Sequence, residues 1–339
     1  MPQALKSKAK FKERDGSLDF LRGFAVLLMV FVHASAYFLS SKSIYAAWDY
    51  AHFVVPLFVF CSTYITFNHS VPGHFSLTTI FKRVKRLVIP YFLMFALPSI
   101  FLNFLLNDFN LDFSYAVNIL TLGNSRDVGW LVVLFIYVIL LNQFILFLRQ
   151  RYFFMFKLLT VISVISTIYL LFNDIPVPFR YVMFLPWSAF LFFVYFFVNS
   201  KKNIRFYVQT ILGGVSLFLI SRFILVLNES SLVFTDNKYP PNLYYLSYGS
   251  FLITTLHFIY FKLRVIFDMK YIKVVFNFLS TYSYQIFFIH FLIIHVLTAL
   301  KIHKLLGLLN FTLVLIFVPV LTIILFNYFF SMLKNVKLR

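Results

Sequence analysis

The sequence predicts an all-α integral membrane protein, about ten transmembrane helices in one bundle with both termini cytoplasmic. Three observations carry this. The mean hydropathy is +0.88, and 61% of the residues are hydrophobic, 49 of them Phe, which is more apolar surface than a soluble domain can hide. Apolar runs of spanning length recur along the whole chain. Lys and Arg are divided very unequally between alternate ends of those runs.

The runs lie at 18–39, 51–67, 87–106, 128–148, 153–172, 180–198, 206–227, 243–262, 274–297 and 308–330. The first, LDFLRGFAVLLMVFVHASAYFL, is long enough to cross a hydrocarbon core of about 30 Å. It follows a basic arm without a clear small-residue cleavage site, so it is expected to remain as a helix. An even number of spans puts both termini on one side. The ends on that side carry 22 basic residues, from Lys6 to Arg339. The opposite loops carry six: Lys42, Arg126, Arg180, Lys238, Lys301 and Lys304. The positive-inside rule therefore makes the richer side cytoplasmic. The chain divides into a basic tail at 1–17, a transmembrane domain at 18–330 and a second tail at 331–339.

The net charge of +19 would point to nucleic acid in a soluble protein; here topology and contact with anionic membrane lipids account for it, and no nucleic acid is expected. Two outer loops are longer than the rest. Residues 107–127 hold Asp108, Asp112 and Asp127, and 228–242 hold Glu229 and Asp236; neither is large enough to fold alone. A single cysteine, Cys61, excludes an intramolecular disulfide and a cysteine metal cluster. No residues have metal-ligand spacing, and there is neither a nucleotide-binding glycine loop nor a hydrolase serine elbow.

The most informative polar residues are Arg22 and His33, eleven positions apart in the first span, a rise of about 16 Å. An ionisable group deep in a membrane is costly and marks function by default; the alternative is a histidine satisfied by one interhelical hydrogen bond. Arg83 and Arg86 open the third span three residues apart, on one helical face. They read either as a guanidinium clamp for phosphate or simply as positive-inside residues. With Arg22 they make three cations near one cytoplasmic depth, suited to an anionic donor with a long arm, such as the pantetheine of coenzyme A. In the ninth span Ser283 and His290 share a stripe. His290 reads as an orienting or acceptor-site group, or as a tie between helices. His257, Asn142 and Gln143 read as helix-packing residues. His52, at the outer start of the second span, is placed to titrate and meet an extracellular ligand, whereas His69, His74 and His303 read as loop residues.

At these residues the chain resembles the bacterial membrane acyltransferase-3 family, and also the acyltransferase-like membrane proteins of polysaccharide-adhesin operons. The likeness lies in Asp19-x-x-Arg22-Gly23, in Arg22 and His33, and in Arg83-x-x-Arg86. Further similarity runs through Val55–Phe60, Gly129–Leu131, Tyr239–Tyr245 and Ser283-Tyr284 to His290. Two positions depart from the family pattern: Ser62-Thr63-Tyr64 stands where Ser-Gly-aromatic is usual, and Leu131 where an aromatic is common.

The resemblance implies an O-acyltransferase of the bacterial cytoplasmic membrane. Its donor would be cytoplasmic acyl-CoA, chiefly acetyl-CoA, used as substrate with no tightly bound cofactor. Its acceptor would be a hydroxyl of an extracytoplasmic or lipid-linked glycan, with the polysaccharide synthesis machinery as a partner. His33 would act as base or acyl relay, Arg22 with Arg83 and Arg86 would hold the donor, and Asp19 would hold Arg22. His290, Ser283, Glu229 and Asp236 are assigned to the acceptor side. Two other classes stand beside this one: a polysaccharide exporter, which needs no coenzyme A clamp, and a non-catalytic membrane component, in which His33 and Arg22 are replaceable.

Overall fold

A computed structural model of the protein describes residues 15–69, 76–106, 113–122, 128–175 and 177–336. The basic tail up to Arg14, and Asp108, Asp112, Arg126, Asp127 and His74, lie outside them. The described residues form helices and no strand; one isolated antiparallel bridge joins Lys238 to Pro241.

The first helix, α1 (Gly16–Ser35), starts where Asp15 accepts the Ser17 backbone N–H, a side-chain N-cap that ends the basic tail. A short helix α2 (Lys42–Tyr50) passes through a 3-10 turn, Ala51–Phe53, into α3 (Val54–His69). Then come α4 (Leu77–Tyr91), α5 (Leu97–Leu106) and α6 (Phe113–Leu120). Pro90 lacks the N–H that an α-helix needs at this point, and a π-helical stretch, Phe92–Ala96, follows it before α5. Next are α7 (Gly129–Arg151), α8 (Phe153–Tyr169), α9 (Phe179–Val182), α10 (Phe184–Asn199) and α11 (Ile204–Leu227). The chain closes with α12 (Leu243–Lys262), α13 (Arg264–Phe267), α14 (Lys270–Thr281), α15 (Ser283–Ala299) and α16 (Leu308–Val336).

Helices occupy all ten segments expected from the apolar pattern, but among the described residues six helical stretches are long and apolar enough to cross a membrane, two of them, Lys42–His69 and Leu77–Leu102, running through more than one element. The pair α14 and α15 makes a seventh if taken together, although it bends by 73° at Tyr282. The ninth run is therefore not a straight span, and Ser283 starts a new helix just past the bend. Two further boundaries differ from expectation. The first helix ends at Ser35 rather than Leu39, and α4 begins at Leu77, so Arg83 and Arg86 sit two turns inside a helix rather than before it.

The first helix lies at the centre, touching α3, α12, α14, α15 and α16. Gly23 is what lets α14 come close: a Cβ there would lie 2.7 Å from Phe276 Cδ1 and 3.2 Å from its carbonyl oxygen. Leu21, Ala25, Val26 and Val30 are almost fully enclosed. By contrast α11 turns Leu212, Leu219, Phe223 and Leu227 outward, and α16 does so with Leu309, Phe317, Leu321 and Phe326. Apolar outer faces around a packed interior are what a lipid-solvated bundle requires. The chain is a multi-pass α-helical membrane protein.

Candidate functional site

Two cavities lie end to end beside α1 and share walls from four helices, α1, α3, α7 and α15; α4 adds to the first, and α2 and the 228–242 loop add to the second. The first, about 170 Å³, is lined by Arg22 of α1, Ser62 of α3, Leu87 of α4, Phe135 of α7 and Ser283 and Tyr284 of α15. The second, about 250 Å³, is lined by Met29, Val32 and His33 of α1, His52, Val54 and Val55, and Trp130 at the start of α7. Phe58, Leu131 and Phe287 line both, so these three apolar side chains form the partition between them.

The register of the helices explains the arrangement. Arg22 and His33 are eleven residues apart, and 3.6 residues per turn brings them to nearly the same face of α1 after three turns. One faces each cavity. On α3 the order from the second cavity to the first is Val54, Phe58, Ser62, a four-residue step along one face. On α15, Ser283 and Tyr284 serve the first cavity, Phe287 the partition, and His290 reaches His33.

The His33 ring is half-buried, with its centroid 5.3 Å from that of His290 and 4.5 Å from that of Phe291. Among the described residues no hydrogen bond holds the His33 imidazole. His290 is fully enclosed. Its Nδ1 lies 3.1 Å from the Ile286 carbonyl oxygen, and a carbonyl only accepts, so Nδ1 carries the proton and donates it. That leaves Nε2 as a lone-pair acceptor, and it is buried without a partner among the described residues.

The other predicted residues fall into three groups. Asp19 is buried and lines a small recess with Lys273 and Asn277 of α14, while Arg22 is half-buried in the first cavity. Arg83 is half-buried, and its Nη1 donates to Thr66 Oγ1 at 2.7 Å; Arg86 is exposed. Neither lines the Arg22 cavity, where α4 presents Leu87, one turn beyond Arg83. Glu229 and Asp236 are both exposed; Asp236 accepts from Ser231 Oγ at 2.6 Å and borders an outer groove with Asn237 and Asn242.

The family model described as an acyltransferase domain, that of the acyltransferase-3 proteins, matches residues 15–327. The chain belongs to the acyltransferase-3 family. The match takes in both cavities and every helix except the last turns of α16. No curated protein and no solved structure matches the chain. Family membership makes this a membrane acyltransferase-type enzyme.

One residue at this site, Lys238, escaped the sequence reading, and another, His52, was read there as a group that meets an extracellular ligand. His52, expected at the outer face, is buried; its Nδ1 lies 2.9 Å from the Trp48 carbonyl oxygen and its ring lies edge-on to Trp48. Lys238 was visible only as one of six outer-loop cations, yet it is 7% exposed and lines the His33 cavity. The 228–242 segment folds inward because Phe234 buries its ring against Tyr244 and Tyr248, and its N–H is taken by Asp49 Oδ1 at 2.9 Å. The signal in the sequence was the apolar run Leu232-Val233-Phe234 inside the loop. His257, expected as a packing residue, lies 2.9 Å through Nδ1 from Tyr207 OH and 3.4 Å through Nε2 from Ser17 Oγ, joining α12, α11 and α1.

Proposed function

We propose that the protein moves an acyl group, acetyl in the simplest case, from cytoplasmic acyl-CoA to a hydroxyl of an extracytoplasmic or lipid-linked glycan. In this reading ten helical segments cross the bacterial cytoplasmic membrane and both termini are cytoplasmic. The observation that carries it is the pair of cavities, Arg22 in one and His33 in the other, on one face of one helix and separated by three apolar side chains. Acyl-CoA cannot cross a bilayer, because its phosphates would have to leave water. Its pantetheine arm can enter the inner cavity beside Arg22, whose fixed fork suits an anion, while the phosphates stay outside. Arg83, one turn nearer the start of α4 than the cavity wall, meets those phosphates.

The rise from Arg22 to His33, about 16 Å, is then the path of the arm, and rotation of Phe58, Leu131 and Phe287 joins the cavities. The acceptor hydroxyl attacks the thioester carbonyl carbon as His33 takes its proton. The C–S bond breaks, and coenzyme A leaves as the thiol after taking up a proton. Alternatively the acyl group rests on His33 before reaching the acceptor; the balance of atoms is the same. His290 Nε2, a ready acceptor, orients the His33 ring through its other N–H. Asp19 steadies the inner end of α1 beside Arg22.

Sealed vesicles of opposite orientation test this. Labelled acyl-CoA should acylate glycan only when supplied to the face that bears the N-terminus. Equal transfer from CoA confined to the opposite face would overturn both the sidedness and the path through the bundle.

A further inference from the structure

The outer cavity contains a cation that the transfer reaction does not use. Lys238 is 93% enclosed by its 7% exposure, and its Nζ lies 4.5 Å from the Tyr239 ring centroid and 5.5 Å from that of Trp130. Among the described residues no carboxylate lies within ion-pair distance of it. Asp49 offsets its charge from farther off, but Asp49 Oδ1 already accepts the Phe234 N–H. Burial pushes the Lys238 ammonium down to about 7, which marks how poorly the fold solvates it. A buried cation at the wall of a chamber, with ring faces nearest to it and no carboxylate in ion-pair contact, has room for a closer anion.

The chamber is otherwise suited to a sugar. Trp48, Trp130 and Tyr239 give it broad flat faces, with Trp130 and Tyr239 at 88° and centroids 4.8 Å apart, so two walls meet at a corner. Lys238 sits at that corner and His33 lines the same space. We propose that the outer cavity takes a ligand bearing a carboxylate, seated on Lys238 Nζ with its ring against Trp130 and Tyr239. This rests on the reading of the outer cavity as the acceptor's chamber and narrows the acceptor to an acidic sugar. A carboxylate could also arrive on the far end of a dicarboxylic acyl group, and the experiment separates the two.

Two of the protein's three tryptophans, Trp48 and Trp130, line the cavity, so intrinsic fluorescence reports its occupancy directly. The purified full-length protein in lipid nanodiscs is titrated with glucuronate, glucose and succinate. Glucuronate should bind at least tenfold more tightly than glucose. Lys238→Gln should abolish that preference, and Lys238→Arg, which keeps the charge, should retain it. Binding is read without acyl-CoA, so the result stands or falls apart from the transfer reaction. Tight, Lys238-dependent binding of succinate without glucuronate would keep the carboxylate seat and assign it to the acyl group. Equal binding of glucuronate and glucose, no binding of either acid, or a preference that survives Lys238→Gln in a protein that elutes as wild type would overturn the proposal.

Discussion

The two cavities share walls from four helices and are chemically unlike. The inner one carries its charge on a helix: Arg22 projects from α1 among Ser62, Ser283 and Tyr284. The outer one takes Lys238 from a folded-in loop and His52 from a helical turn, and adds both to His33. Helix residues placed by 3.6-residue periodicity fall at successive heights along one face, so the helices set the long axis of the site. The loop, free of that periodicity, sets what the outer chamber recognises. In our reading the inner cavity serves a donor common to many reactions and the outer one serves a particular acceptor.

That division can be broken at several points. The largest effect is expected from His33→Ala, which should lower transfer by about 10²–10⁴-fold while the KM for acyl-CoA stays near wild type. Mass spectrometry of the glycan and initial rates in vesicles measure both, and near-normal acylation would remove His33 from the chemistry. Arg22→Ala should act in the opposite sense, raising the KM for acyl-CoA by about 10- to 100-fold, the loss typical of a hydrogen bond to a charged group. An unchanged KM would dissolve the distinction between the cavities. Leu131→Trp overfills the partition. Overpacking of about 1–3 kcal/mol corresponds to a rate loss of about 5- to 150-fold if the passage must open there. A Leu131→Trp protein that transfers at the wild-type rate would show that the arm takes another route.

The outer cavity also has a pH signature. Lys238 is pushed down to about 7, so it is a cation below that pH and neutral above it. Between pH 6 and pH 8 the preference for glucuronate over glucose should fall by about tenfold. His33 from α1, Asp49 and His52 from the α2 region, and Asp236 and Tyr239 beside it in the loop share its field, whereas α7 and α15 present only Trp130, Leu131 and Phe287. The part due to Lys238 is therefore the difference from Lys238→Gln, which should show a flatter profile; identical profiles would assign the effect to the histidines. The smallest effect concerns packing alone. Asn142 Nδ2 donates to Thr63 Oγ1 at 3.2 Å between α7 and α3, and Thr63→Val should cost about 0.6 kcal/mol of stability with transfer unchanged.

Much of this was legible before the structure. Arg22 and His33 announced themselves because a charged or titratable residue inside a long apolar run has few reasons to be there. Hydropathy located the four helices that line both cavities, though not α2, which supplies Trp48, since backbone groups in lipid must be satisfied within the segment. The 73° break at Tyr282 was not legible, because the run from Val274 to Leu297 is apolar on both sides of it. Nor was the parting of Arg83 from Arg22: spacing along a helix gives a face, but not which neighbour covers it.

The sequence by itself determined the membrane bundle, the family and the presence of an arginine and a histidine on one face of α1. Periodicity and transfer free energy are local properties, written residue by residue. Only the tertiary structure decided that two chambers meet at Phe58, Leu131 and Phe287, that His290 stands beside His33, and that Lys238 turns inward. Those outcomes depend on which helices touch and on how Phe234 draws its loop into the core, contacts between residues about two hundred or more positions apart, as in the bond from Tyr248 OH to the Tyr50 carbonyl.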